Sequence, residues 1–218
     1  IWMVVFTMIP LVMIGITAFK DKQGNFSLQP MMNAFYYTDV FVKSLWIAFI
    51  STVICLLLAY PLAYLITRMK KSSQNTMIML MMIPMWMNFL LRIYAWITIL
   101  QKNGPVDMAL SFLGIHGTYI GNTAAVVLGM VYEYLPFMML PIYTVMSKID
   151  GSLIEAAQDL GSNNGAVFRK VIFPLSMPGV ISGITLVFVP SASTFLVSQY
   201  LGGTDDIMIG DIIDKIFW

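Results

Sequence analysis

Five stretches of this chain are apolar over enough length to cross a hydrocarbon core, which takes about 20 residues of helix. They run from Ile1 to Phe19, Val40 to Thr67, Thr76 to Leu100, Thr123 to Met146 and Val171 to Val197. Lipid offers no partner to a free N–H or C=O, so each stretch has to satisfy its own backbone and therefore be helical. Only 11% of the residues are charged, against about 25% in ordinary soluble domains. The expected fold is all-α, a polytopic membrane helical bundle with five spans visible, forming a single domain over residues 1–218. Asp211 to Trp218 reads as the approach to a sixth span. Ile1 opens inside an apolar run with no initiator Met, so neither end reads as native. A signal peptide is a poor reading, because no basic region precedes Ile1 and no small-residue cleavage site follows it.

Between the last two stretches lies a polar island, Ser152-Leu153-Ile154-Glu155-Ala156-Ala157-Gln158-Asp159-Leu160-Gly161. Ser152 followed three residues later by Glu155 predicts a capping box and a helix start. Gly161 stands where that helix should stop. Leu153, Ala156, Ala157 and Leu160 fall at i, i+3, i+4 and i+7, one face of about two helical turns. That face is too small for a core. Two alanines beside two leucines make a shallow knob suited to a partner's groove. An amphipathic helix lying on the membrane is the alternative, and it would carry Lys or Arg on its polar face; residues 152 to 161 contain neither.

Glu155-Ala156-Ala157, three residues, Gly161, nine residues, then Val171-x-Phe173-Pro174 resembles the loop E-A-A-x3-G-x9-I-x-L-P of permease subunits of bacterial ABC importers. Val171 and Phe173 replace the usual isoleucine and leucine and keep both positions apolar. The resemblance extends to Ile83-Pro84-Met85-Trp86-Met87-Asn88-Phe89-Leu90-Leu91-Arg92-Ile93-Tyr94, to Leu135-Pro136-Phe137-Met138-Met139-Leu140-Pro141, and to Gly202-Gly203 with Ile209-Gly210. These segments look like permeases of spermidine/putrescine importers; iron, sulfate and molybdate permeases share much of the fold and stand as the alternative. The resemblance implies the type I ABC importer permease fold, with the cytoplasmic coupling loop at residues 147–170. It makes Leu153, Glu155, Ala156, Ala157, Leu160 and Gly161 the residues that dock into an ATPase subunit. It further implies a complex with two copies of that ATP-binding subunit, a second permease subunit and an extracytoplasmic substrate-binding protein that delivers polyamine. This chain then holds no cofactor, and ATP and Mg are bound by the partner ATPase. Where the family has a full sixth span, this chain ends.

Cytoplasmic loops are enriched in Lys and Arg. Arg68, Lys70, Lys71, Lys148, Arg169 and Lys170 fall on one side, and Lys20, Lys22, Lys43 and Lys102 on the other. This bias puts Glu155 and its helix in the cytoplasm, and the resemblance implies that the membrane crossed several times is a bacterial inner membrane. The net charge of +1 gives no reason to expect nucleic acid. The outer loops hold Asp21, Asp39, Asp107, Asp205 and Asp206, either a mouth that favours cations or an ordinary solvated surface.

Two charges lie inside spans, where they need a partner or a wet cavity. Arg92 precedes the outer end of the third span by eight residues, and Glu133 follows the outer start of the fourth by ten. At about 1.5 Å per residue both sit roughly 12 to 15 Å deep. They form an ion pair between helices, or else Glu133, flanked by Tyr132 and Tyr134, faces the path and attracts an alkylammonium helped by the aromatic faces. Pro84, Pro136, Pro141, Pro178 and Pro190 each remove a helix hydrogen bond. Gly179 and Gly183 have the spacing that lets helices pack closely. Pro190-Ser191-Ala192-Ser193-Thr194 reads as a polar, poorly helical stretch, so that Ser191, Ser193 and Thr194 line a cavity or bond back to their own helix.

The chain has 19 Met, one Cys (Cys55) and one His (His116). Six Met between Met77 and Met87 offer soft ligands, but a metal path would add Cys and His, so adaptable apolar packing is the expected role and no metal site is assigned. There is no G-x-x-x-x-G-K-[ST] loop, no G-x-S-x-G elbow and no H-E-x-x-H helix, which leaves no machinery for an enzyme. An intramembrane enzyme and a passive channel or scaffold subunit are the rival classes.

Overall fold

The computed structural model describes residues 2–19, 35–112, 114, 117, 119–194, 196–203 and 207–217. Ile1, Lys20, Asp21, Lys22, His116, Asp205 and Asp206 lie outside them. Contacts divide the chain into Ile1–Lys43 and Ser44–Trp218. The first unit holds α1 (Trp2–Ala18), a 17-residue helix with Pro10 inside it. It is apolar on every side, the composition of a helix meant for lipid or for another helix. Asp39 stands in the first turn of the long helix α2 (Thr38–Thr67).

In the second unit the regular elements are helical throughout the described residues. From Ser44 onward α2 buries Ser44, Ile47, Ala48, Ser51, Thr52, Cys55, Ala59, Ala63 and Ile66. Their spacing of three or four makes a single stripe of mostly small side chains, so neighbouring backbones can come close. The third stretch departs from expectation. It is two helices, α3 (Lys71–Trp86) and α4 (Phe89–Leu100), bent by 93°. Pro84 has no N–H to give, and Met87 and Asn88 turn extended, with ψ of 149° and 135°. The Asn88 side chain then caps α4 by accepting the Leu90 N–H at 2.9 Å. A short outer helix, α5 (Pro105–Ser111), follows a turn in which Asn103 has a φ of 61°. The Asp107 carboxylate closes that turn by accepting the Asn103 N–H at 2.8 Å.

At the centre α6 (Thr123–Met146) packs extensively along α8 (Asn164–Ser193). Gly179 and Gly183 permit it. A Cβ on Gly179 would stand 2.8 Å from the Pro141 carbonyl oxygen, and one on Gly183 2.8 Å from the Met138 sulfur. Between these helices sits α7 (Gly151–Asp159). α8 begins earlier than expected, at Asn164, and passes through a π turn at Phe168–Ile172, just before Pro174, which cannot supply the next helical donor. It also runs straight through Pro190 to Ser193, so the stretch expected to be poorly helical is helix, and the fifth span ends at Ser193 instead of Val197. α9 (Leu196–Leu201) and α10 (Ile209–Phe217) complete the chain.

Among the described residues three helices are long and apolar enough to cross a membrane: α2, α6 and α8. The bent α3–α4 pair is a fourth candidate, and Val4–Thr17 is a shorter apolar helix. Two apolar clusters hold the second unit. One gathers Cys55, Ala59, Ala63 and Ile66 of α2 with Met138, Met139, Ile142 and Met146 of α6 and Ile172, Val180 and Val187 of α8. The other, nearer the start of α6, gathers Ile47, Ile93, Leu100, Val126, Met130, Val197, Leu201 and Met208. Fully buried Met130, Met138, Met139 and Met208 act as flexible gap-fillers in both.

Candidate functional site: a docking helix at one end and a buried charge pair

α7 starts one residue before Ser152 and is capped by Asp150, whose carboxylate accepts the Ser152 N–H at 3.0 Å. That is a correction to the predicted capping box. Asp150 already fills the capping place, and Ser152 lies inside the first turn. The same backbone hydrogen bond holds the Asp150 carboxyl below its usual range. The stop is where the glycine put it. Gly161, at a φ of +82°, donates its N–H to the Gln158 carbonyl at 2.8 Å, and Ser162 donates to the Ala157 carbonyl at 3.1 Å. This double bond pattern with a left-handed glycine is the Schellman close of a helix.

The predicted apolar face divides in two. Leu153 is 48% and Leu160 88% exposed, and Glu155, Ala156 and Gly161 are exposed with them. Ala157 is half-buried and, with Ile154, packs onto the cluster of α2, α6 and α8. The knob offered outward is therefore Leu153, Ala156 and Leu160, while Ala157 belongs to its anchorage. A side-chain bond from Gln158 to Asn164, 3.2 Å, ties the end of α7 to the start of α8.

At the other end the two charges meet. The Arg92 Nη1 lies 2.8 Å from the Glu133 Oε2, with side chains 9% and 13% exposed. Phe89 lies under the guanidinium, 5.7 Å from ring centre to Cζ. Arg92 Nε is buried with no hydrogen-bond partner. Consecutive helical residues point about 100° apart, and each neighbouring tyrosine has a partner of its own. Tyr132 stacks edge-on with Trp96 at 5.4 Å. Tyr134 packs near Phe137 and hydrogen-bonds Thr194.

Ser191 is fully buried and returns its hydroxyl to the Phe188 carbonyl at 3.0 Å. Ser193 is exposed and bonds the Val189 and Pro190 carbonyls. Both thus bond back to their own helix. Sequence reasoning missed two polar joints. Gln74, which lies two residues before the third apolar stretch and drew no reading, donates to the Thr67 and Met69 carbonyls at 3.1 and 2.9 Å and accepts from the Tyr143 hydroxyl at 2.9 Å. Asp211, read as the start of a new span, accepts from the Ser198 hydroxyl and the Met208 N–H, both at 2.7 Å. No sequence signal singled out Gln74, which stands in the polar run from Lys70 to Thr76. Asp211 three residues after Met208 has the reach-back spacing of a helix start.

Comparison with known proteins supplies the context. Residues 1–215 match the family described as binding-protein-dependent transport system inner membrane component. The chain is similar to the spermidine/putrescine transport system permease protein PotB of Haemophilus influenzae, 35% identical over 99% of this chain and 79% of that protein. It is 34% identical to the PotB of Escherichia coli K12, over 99% of this chain and 82% of that protein. A PotB homolog of Mycoplasma genitalium is 28% identical over 93% of this chain and 72% of its own length.

Proposed function

The chain belongs to the family of inner-membrane components of binding-protein-dependent transport systems, and from that premise we propose that it is the permease subunit of an ATP-driven polyamine importer. It lies in the bacterial inner membrane as a multi-pass protein. In this reading it forms half of the translocation path, a second permease subunit forms the other half, and an extracytoplasmic binding protein delivers spermidine or putrescine. A homodimer of ATP-binding subunits holds ATP and Mg and does the hydrolysis. The nearly full-length similarity to spermidine/putrescine permeases supports the substrate class.

The observation that carries the coupling role is the two-sided character of α7. Its outward face is free and apolar at Leu153, Ala156 and Leu160, whereas Ile154 and Ala157 are set into the cluster that contains Met146 and Ile172. A force applied to the knob therefore acts on α2, α6 and α8 together, since a close-packed interior passes strain on. For the path, an incoming ammonium competes with Arg92 for Glu133. Thr194, paired with Tyr134, and the exposed Ser193 mark the same end of α8, while Ser191 faces the core.

ATPase stimulation of the assembled complex by its loaded binding protein tests the substrate class across spermidine, putrescine, sulfate and ferric iron. Stimulation by polyamines alone is expected, and stimulation by an oxyanion alone ends the assignment. Ala156→Asp tests the docking: it should abolish attachment of the ATPase and leave the permease folded.

A further inference from the structure

Beneath α7, where α2 and α6 end and α3 begins, lies a cavity of about 340 Å³, within the range of ligand pockets, about 300–1,000 Å³. Arg68, Lys71, Tyr64, Thr67, Ser147 and Ile154 are among the residues that line it, and its lining contains no Asp or Glu. The Arg68 Nη2 is steered by the Tyr64 hydroxyl at 3.0 Å, and its guanidinium stands 5.1 Å from the ring centre of that tyrosine. Two acids adjoin lining residues in sequence without lining the cavity: Asp150, whose carboxylate accepts the Ser152 N–H, and the exposed Glu155. Two cations share a hollow without a counter-charge in its walls. On the same two helices Leu65, Met69 and Met77 are 56%, 41% and 40% exposed, with Leu65 one helical turn from Arg68.

We infer that this cavity binds the phosphodiester headgroup of an anionic phospholipid, with the acyl chains running along Leu65, Met69 and Met77. The headgroup oxygens take the donors of Arg68 and Lys71, a phosphate being the acceptor that matches a guanidinium fork. Basic pockets between spans at the cytoplasmic face are suited to such headgroups. A soluble anion would satisfy the cations but would leave the adjoining apolar strip unused. Because α7 contributes Gly151 and Ile154 to the walls, an occupied cavity braces the docking helix against the α2–α3 turn. The proposed function is used only to name the leaflet.

The test measures lipid retention without substrate or nucleotide, so it stands apart from the polyamine assignment. The whole transporter complex is purified from membranes, and bound phospholipid is read by native mass spectrometry. Wild type is expected to retain phosphatidylglycerol over phosphatidylcholine. R68Q/K71Q should retain about thirtyfold less, from the loss of two cations near the surface. K148Q/K170Q, which removes cations of the same end that do not line the cavity, should retain the wild-type amount. Equal retention by R68Q/K71Q and wild type overturns the inference, as does displacement of the lipid by millimolar inorganic phosphate. If R68Q/K71Q does not assemble, photoactivatable phosphatidylglycerol on the wild-type complex decides. Labelling of the segments 64–71 and 147–154 supports the site, and labelling only elsewhere overturns it.

Discussion

The two ends of the bundle are joined by different chemistry. Near α7 the polar joints are neutral and closed: Gln74 makes three hydrogen bonds to Thr67, Met69 and Tyr143, and Tyr60 meets Ser176 at 2.9 Å. Toward the start of α6 the joints are charged and incomplete. Arg92 pairs with Glu133, Asp211 takes two donors, and Arg92 Nε and Asp211 Oδ1 remain buried without a partner. Each orphaned group costs about 1–3 kcal/mol, a cost relieved in any state that supplies the missing contact. A closed neutral network favours one geometry, so the end near α7 is suited to carrying force. The charged end has donors and acceptors to spare, so it is suited to exchanging partners as a path opens.

The largest test of that contrast falls on the ion pair. Glu133→Ala strands the Arg92 guanidinium and should destabilise the protein by about 3–5 kcal/mol, read as a fall in thermal midpoint in detergent. R92L/E133L should recover most of it. If Glu133→Ala is neutral, the charged end is not held by this pair. Glu133→Gln sharpens the functional side: normal assembly with lost transport places the carboxylate on the path.

Next in size is the closed joint. Gln74→Leu leaves the Tyr143 hydroxyl and the Thr67 and Met69 carbonyls without their partner, at a cost of about 2–3 kcal/mol. If this joint transmits force, ATP hydrolysis by the complex should persist while transport falls. Binding of the loaded binding protein should be unchanged. Equal loss of hydrolysis and transport would mean that the joint only holds the fold.

α7 was legible because two of its signals are local, a glycine stop and an apolar stripe within one helix, but its cap was placed at Ser152 and Glu155 where Asp150 supplies it. Even so, periodicity alone gave Ala157 to the outer face, since it cannot tell which edge of a stripe meets the core. The long spans were legible by length, except at Met87 and Asn88, where Pro84 and an asparagine cap combine into a break that hydropathy averages away. The depth of Arg92 and Glu133 followed from counting residues, and their meeting required only that α4 and α6 be neighbours. Ser44 and the Gln74–Tyr143 contact escaped because their partners are distant in sequence; Ser44, for example, accepts the Ile209 N–H at 2.8 Å.

A smaller effect is expected at the second charged joint. Ser198→Ala removes one of the two donors to Asp211 and should cost about 1.5 kcal/mol, the scale of a hydrogen bond to a charged group. Asp211→Asn in that background should return part of the loss, because a neutral amide is less costly to bury. A Ser198→Ala thermal midpoint equal to wild type would mean that the Asp211 carboxylate finds another donor.

The smallest effect concerns α7 itself and separates the two ends by pH. The Ser152 N–H holds the Asp150 carboxyl below its ordinary value, which is about 3.9 in an unfolded chain. A group whose folded pKa is depressed stabilises the fold fully above the unfolded value, and that contribution disappears as pH falls through the folded one. Hydrogen exchange of the α7 amides should therefore show constant protection from about pH 8 to pH 5, after correction for intrinsic rates, and weaken only in stronger acid. Asp150→Asn keeps a good cap and should remove the acid dependence, while Asp150→Ala should lower protection a few-fold at every pH. Acid weakening that survives in Asp150→Asn would mean that a group other than the Asp150 cap governs the helix.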